Sequence, residues 1–123
     1  GLHGDDMAAL LAYLDEMSRP VPVGRPEEQL VERGRSLFHD ASVGCGTCHV
    51  EGGGSDGLLH AVDGSPTLET PSLKFVAGTG PYWHDGRYAT LGELLVDTKG
   101  RMGWGTELTD DDLGALEAYL LTL

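Results

Sequence analysis

The sequence predicts an all-α domain whose middle segment has no regular secondary structure of its own. Four segments place apolar residues at helical spacing, and no stretch alternates apolar and polar residues for long enough to indicate a strand. Between them, residues 41–86 show no sustained period and hold ten of the 19 glycines. A loop of that length is uncommon in a compact domain unless a ligand organises it.

Composition limits the classes of protein to consider. The 123 residues fit one domain. With 20 acidic and 8 basic side chains the net charge is −12, which excludes nucleic acid or an anionic membrane surface as partner by repulsion. No apolar run approaches the ~20 residues of a membrane span. Residues 1–6 lack the basic start and apolar core of a secretory signal, and two cysteines cannot build a disulfide scaffold.

The N-terminal part predicts a helix followed by a linker. Met7, Leu10, Leu11 and Leu14 share one helical face, which predicts a helix over residues 5–17. Residues 19–26 contain three prolines and two arginines. Because proline cannot continue a helix, this stretch is expected to be extended.

Three further helices follow from capping signals and apolar spacing. One begins near Pro26, a favourable first-turn residue, with Glu27 and Glu28 at its positive end. A capping box formed by Thr90 and Glu93 predicts a short helix that ends near residue 97. Thr109 caps the last helix. The apolar faces of the second and last helices are predicted to be Leu30, Gly34, Leu37 and Phe38, and Leu113, Leu116, Tyr119, Leu120 and Leu123.

An internal similarity links the first helix to the last. Residues 5–14 (D-D-M-A-A-L-L-A-Y-L) resemble residues 111–120 (D-D-L-G-A-L-E-A-Y-L). We therefore predict that residues 1–25 are a leader helix and linker that end a preceding module, and that residues 26–123 are the domain proper. The alternative is that two acidic-capped amphipathic helices are alike by chance.

One motif carries chemistry. Cys45, Cys48 and the adjacent His49 form C-x-x-C-H, the attachment signature of c-type haem. Two thiols three positions apart can each form a thioether to one haem vinyl group, and the adjacent histidine can then ligate the iron. A bound haem would also serve as the core around which the aperiodic middle segment folds.

Three other uses of the cysteines fit less well. A zinc site needs four ligands, and the other histidines do not stand at a recognised spacing. A thioredoxin-like pair needs a strand–helix–strand context. A disulfide between residues three apart would close a very short loop and stabilise little.

The second axial ligand has several candidates. Class-one c-type domains take it from a loop before the last helix, and Met102 lies there among Gly100, Gly103 and Gly105. Glycines let a backbone approach a flat ring closely. Met102 is therefore the predicted ligand, with His60 and His84 as alternatives.

Two segments carry a family resemblance. Residues 70–74 (T-P-S-L-K), residues 81–86 (P-Y-W-H-D-G) and the closing helix resemble the C-terminal haem domain of the bacterial dihaem cytochrome c peroxidase and MauG-like family. The resemblance implies a class-one cytochrome c-like fold with glycine-rich loops wrapped round one covalent haem c. It implies that Cys45 and Cys48 bind haem, that His49 is the proximal ligand and that Met102 is the distal ligand.

Two further residues have expected structural roles, and the chain departs from the family in two respects. Gly34 is expected to face Tyr119, so that two helices cross closely. His84 matches the family motif and is expected to be a structural hydrogen-bonding residue near the haem, not a catalyst. Lys74 stands where the family usually has arginine, which keeps the charge but loses the bidentate fork. The chain has one attachment site, whereas the family's peroxidases carry two haems.

These observations predict a monohaem electron-transfer domain with His49/Met102 ligation, which is one module of a larger redox protein and not an enzyme by itself. The alternative is the electron-entry domain of a dihaem peroxidase or MauG-like oxidase; ligand sensing would require an open iron site. Expected partners are a neighbouring haem module or a separate basic redox protein, with no nucleic acid and no membrane span. Covalent haem attachment in bacteria follows export, which implies a periplasmic or other extracytoplasmic location.

Overall fold

The computed structural model describes residues 3–17, 24–62, 67–104 and 107–123. Most of their regular structure is helical, as predicted, and two short strands pair antiparallel with Leu59 opposite Glu69 and His60 opposite Leu68. In chain order the elements are α1 (Gly4–Glu16), α2 (Glu28–His39), α3 (Cys45–Cys48), α4 (Val50–Gly53), β1 (Leu59–His60), β2 (Leu68–Glu69), α5 (Leu91–Asp97) and α6 (Asp110–Leu120).

Helices α2 and α6 form the centre of the fold and cross at Gly34. A Cβ built on Gly34 would lie 1.9 Å from the carbonyl oxygen of Ala115 and 2.8 Å from Cβ of Tyr119. Only glycine permits this approach, so the predicted contact between Gly34 and Tyr119 is confirmed. Beside it, the ring of Phe38 meets the edge of Tyr119 at 5.3 Å, and Arg35 lies 5.7 Å from the centre of the same ring.

The predicted capping box of α5 and the predicted cap of α6 are both present, and the cap of α6 is also a capping box. Thr90 accepts a hydrogen bond from the Glu93 backbone N–H at the start of α5, and Thr109 accepts one from that of Asp112 at the start of α6. Helix α5 is tied to α6 because the Gly92 N–H donates to the Glu117 carboxylate at 2.9 Å. The buried cluster that these helices enclose consists of Phe38, Leu91, Leu113, Leu116, Tyr119 and Leu120.

The structure differs from the sequence-based expectation in two places. Helix α2 begins at Glu28, because Glu27 is still extended, and Pro26 therefore precedes the cap instead of occupying the first turn. The middle segment contains two single-turn helices and a two-residue strand pair that were not predicted. Elements this short lack the length over which a period can be recognised.

Helix α1 stands apart from the other elements. It has the predicted bounds to within one residue, yet it contacts none of the other helices and strands in the described part of the chain. None of its residues is buried. Of the predicted linker, residues 19–23 lie outside the described residues. Among the helices described, none combines the length and apolar character needed to cross a membrane.

The crossing at Gly34 makes a direct prediction. Gly34→Ala adds one methyl group against a backbone carbonyl that cannot rotate away, and we expect the free energy of unfolding to fall by about 3 kcal/mol. The matched control is Gly114→Ala in α6, where an added Cβ meets nothing within 4 Å and helix propensity alone should stabilise by about 0.5–1 kcal/mol. Urea unfolding followed by circular dichroism measures both; equal effects of the two changes would contradict the packing described.

The cap of α6 makes a prediction about pH. Hydrogen bonds from the Thr109 side chain and backbone, and then from Arg33, lower the pKa of Asp112 from 3.8 to about 2. Since the folded-state pKa lies below the unfolded one, ionised Asp112 stabilises the fold above pH ~4, and this stabilisation is lost as pH falls towards ~2. The thermal midpoint of Asp112→Asn should therefore change less between pH 4 and 2 than that of the unmodified protein or of Asp111→Asn. Parallel curves for all three would refute the assignment.

Candidate haem site

The predicted attachment motif lies on a single helical turn. Cys45 and Cys48 are the first and last residues of α3, and both are half-buried free thiols. Gly44, with φ of 87°, provides the left-handed backbone that precedes this turn. The His49 N–H donates to the Cys45 carbonyl at 3.1 Å, so the histidine directly follows the turn that carries both thiols.

His49 is oriented by a residue whose role the sequence did not suggest. Its Nδ1 lies 3.1 Å from the carbonyl oxygen of Pro71. A carbonyl can only accept, so Nδ1 carries the proton and donates, which leaves the lone pair of Nε2 free for a ligand. Burial lowers the pKa of His49, which favours this neutral form. Pro71 belongs to T-P-S-L-K, one of the segments that carry the family resemblance. That resemblance was the feature of the sequence that could have indicated a role for Pro71.

Burial affects the acidity of the two thiols of the attachment motif. Burial is the main cause that raises the pKa of both Cys45 and Cys48, and the negative charge of Asp56 contributes at Cys48. Reactive redox cysteines have a lowered pKa instead. This environment is therefore not typical of a thioredoxin-like pair.

His60, an alternative axial ligand, lies beside the attachment turn. Its Nε2 is 2.7 Å from Oδ2 of Asp56, and one ligand atom from each of Cys48, Asp56 and His60 lies within 4.8 Å of the others. Asp56 is itself held by the Leu58 N–H at 3.0 Å, and its backbone N–H donates to the Cys48 carbonyl. The pairing with Asp56 holds His60 on the side of Cys48. Three donors could hold a cation, but Cys48 would then be withdrawn from C-x-x-C-H.

The loop that contains Met102 is attached to the segment just before α3. The Trp104 backbone N–H donates to the Val43 carbonyl at 3.0 Å, and its indole N–H donates to the Ala41 carbonyl at 2.9 Å. A Cβ on Gly103 would lie 2.5 Å from the Val43 oxygen, so glycine is needed there. Met102 itself is half-buried. The loop of the predicted distal ligand is thus held next to the turn of the proximal one.

His84, the other alternative ligand, belongs to a surface turn. Arg87 forms a two-pronged contact with Asp85, with Nη2 and Nε 2.6 and 2.9 Å from Oδ2. Tyr82 and Tyr88 bridge the base of the turn. His84 is exposed, and its ring packs against Trp83 at 5.7 Å. Its expected role as a structural hydrogen-bonding residue near the haem stays a prediction.

Taken together, the donors fit a c-type haem. Two thiols one turn apart can form the two thioethers, and a neutral imidazole with a free Nε2 follows directly. A methionine sulfur, the second ligand of many c-type haems, is available from the adjacent loop. Neither a zinc site, a redox-active thiol pair nor a disulfide would use all four of Cys45, Cys48, His49 and Met102.

Known proteins are similar to this chain in sequence and in fold. Cytochrome c551 peroxidase from Nitrosomonas europaea is 39% identical over 56 residues, which is 46% of this chain and 16% of that protein. The matched part of the chain therefore spans about a sixth of this curated relative's length.

A likeness in fold extends further than the likeness in sequence. A chain of hydrazine synthase from Kuenenia stuttgartiensis, in a crystal structure under 20 bar xenon, superposes with a TM-score of 0.73 at 20% identity. The superposition covers 100% of this chain and 56% of that one. Residues 31–123, from α2 to the C-terminus, match the family model of cytochrome c. Because this match covers most of the chain and includes the C-x-x-C-H motif, the chain belongs to the cytochrome c family and has its class-one fold.

Proposed function

We propose that this domain carries one haem c with His49 and Met102 as axial ligands, transfers electrons, and is one module of a larger redox protein. The hydrogen bond from His49 Nδ1 to Pro71 supports this most directly. Histidines that ligate metals usually donate their other ring N–H to a carbonyl or carboxylate, which fixes the tautomer and the ring orientation.

Cys45 and Cys48 would hold the haem through two thioether bonds. The turn that carries them is fixed at both ends, by Gly44 before it and by the His49 N–H after it. When bound, a haem with histidine and methionine ligands supplies a one-electron ferrous/ferric couple of raised potential. The protein's task is then to keep both ligands in place in both oxidation states.

The attachment of the distal loop serves that task. Trp104 makes two hydrogen bonds to residues 41–43, which lead into α3. Met102 and His49 are therefore supported by the same short segment of backbone. Such a common support limits the relative movement of the two ligands and favours rapid outer-sphere electron transfer.

The surface charge indicates the kind of partner. A net charge of −12 would attract a basic redox protein and steer its approach. A neighbouring haem module in the same polypeptide would need no such steering, because the chain itself keeps it close. For a bacterial protein with covalent haem we also propose a periplasmic or other extracytoplasmic location.

A second function is supported by the relative from Nitrosomonas europaea, which is a cytochrome c551 peroxidase. The domain could be the electron-entry haem domain of a larger peroxidase or MauG-like oxidase whose catalytic haem lies on another domain. A second covalent haem together with peroxide turnover by the full-length gene product would favour this function. A full-length product with no peroxide turnover would favour the simple electron carrier.

The assignment of Met102 makes the first functional prediction. In Met102→Ala the thioether-to-iron charge-transfer band of the oxidised protein should disappear and the reduction potential should fall, because the methionine ligand is lost. Met17→Ala, at an exposed position outside the domain proper, is the matched control and should leave both unchanged. Survival of the band in Met102→Ala would refute the assignment and direct attention to His60 and His84.

The acidic surface makes the second prediction. Oxidation of the reduced protein by the cation tris(1,10-phenanthroline)cobalt(III) should slow by about tenfold as ionic strength rises from ~0.01 to ~0.5 M, because salt screens the attraction. Oxidation by the anion ferricyanide, the control of opposite charge, should become faster over the same range. Stopped-flow absorbance measures both rates. The same salt dependence for both reagents would contradict electrostatic steering.

A further inference from the structure

Helix α1 carries an apolar face with nothing packed on it in the described part of the chain. Tyr13 is 64% exposed and Leu10 is 40% exposed, although both are of the kind that cores bury. The other large apolar side chains of the helix that are at least 40% exposed are Met7, Leu11 and Leu14. An apolar face of this size on one helix indicates an interaction surface.

Helix α6 indicates what kind of surface packs on the apolar face of α1. Between residues 5–14 and 111–120, seven of ten positions are identical. Position for position, Tyr13 corresponds to Tyr119 and Leu10 to Leu116, which are only 4% and 2% exposed. The six buried positions of α6 correspond to apolar residues in α1 throughout, namely Met7, Ala9, Leu10, Ala12, Tyr13 and Leu14.

The two helices also begin in the same way. The His3 N–H donates to the Asp6 carboxylate at 3.3 Å, and at the equivalent positions the Thr109 N–H donates to Asp112 at 2.9 Å. The likeness thus includes the bond from the N-cap backbone to the acidic side chain three residues later, as well as the apolar positions.

We propose that α1 is the closing helix of a second cytochrome c module that precedes this domain in the same polypeptide. The helix that covers the apolar face of α1 is then the first helix of that preceding module, and it packs on α1 as α2 packs on α6. This inference rests on the proposed function, because it takes the domain to be one of several haem modules.

The packing of α2 on α6 specifies the chemistry of the missing helix. Asp112 pairs with Arg33 at 2.7 Å. Because Asp6 corresponds to Asp112, the partner helix should carry a basic residue at the position equivalent to Arg33. Ala115 lies against Gly34. Because Ala9 corresponds to Ala115, the partner helix should have a glycine directly after that basic residue. The partner helix should therefore contain a basic residue followed by glycine, with an aromatic residue four positions later as Phe38 follows Gly34.

Other occupants fit less well. Residues 3–17 contain four acidic side chains and no lysine or arginine, so an anionic membrane surface would repel the helix. Helix α2 of a second copy is not available, because α6 of that copy already covers the face that contains Gly34 and Phe38.

The test uses the full-length gene product and two adjacent substitutions. Ala9 corresponds to fully buried Ala115, whereas Ala8 corresponds to exposed Gly114, which has open space around it. Ala9→Gln should lower the thermal midpoint of the preceding module by about 5 °C or more. Ala8→Gln should leave it unchanged. In both variants the unfolding and the charge-transfer band of the present domain should be unaffected, so a failure of this inference is distinct from a failure of the proposed function.

Three results would overturn the proposal. The first is a full-length product with a single covalent haem. The second is an equal response of the preceding module to Ala8→Gln and Ala9→Gln in calorimetry. The third is dimerisation of the 123-residue chain that Ala9→Gln abolishes, because α1 would then pack on a second copy. At least two covalent haems, with a loss of stability specific to Ala9→Gln and a monomeric 123-residue chain, would support it.

Discussion

Helix α2 crosses α6 where Gly34 lies against the backbone of Ala115, and the rest of the domain depends on that contact. The crossing buries Phe38 and Tyr119 against each other and provides the surface on which α5 packs. Because an added methyl group would meet a backbone oxygen, repacking of side chains cannot relieve a change at this point. The two helices can therefore pack in one relative position, which also fixes the position of the segments attached to them.

The haem site is attached to this crossing through a short turn. After α2 ends, Asp40 accepts hydrogen bonds from the Ser42 N–H and hydroxyl at 2.7 and 2.6 Å, and its carbonyl accepts from Gly44. This turn delivers Cys45 to its place, and Trp104 attaches the Met102 loop to the same residues. Both sides of the proposed iron site thus derive their position from the end of α2. A tightly packed crossing is a suitable support for ligands that must not move during electron transfer.

Local signals were sufficient for the four longer helices and insufficient for what holds the site together. Thr90 and Thr109 predicted the starts of α5 and α6 because an N-terminal cap is complete within four residues. The C-x-x-C-H motif predicted haem attachment but not the single-turn helix that carries it. The bond from His49 to Pro71 joins residues 22 positions apart, and the contacts of Trp104 span more than 60. Neither hydrophobic periodicity nor the spacing of a motif indicates contacts between residues so far apart in the sequence. They depend on how the loops fold back on the α2–α6 pair.

The central claim is that the iron is held on both sides by protein ligands, His49 and Met102. The most direct measurement is the optical spectrum of the reduced protein before and after exposure to carbon monoxide. With both positions occupied, the spectrum should stay unchanged on mixing and the oxidised protein should show the thioether charge-transfer band. Immediate carbon monoxide binding by the reduced protein would contradict the account, because it would show an open iron site and a ligand-binding domain instead of an electron carrier.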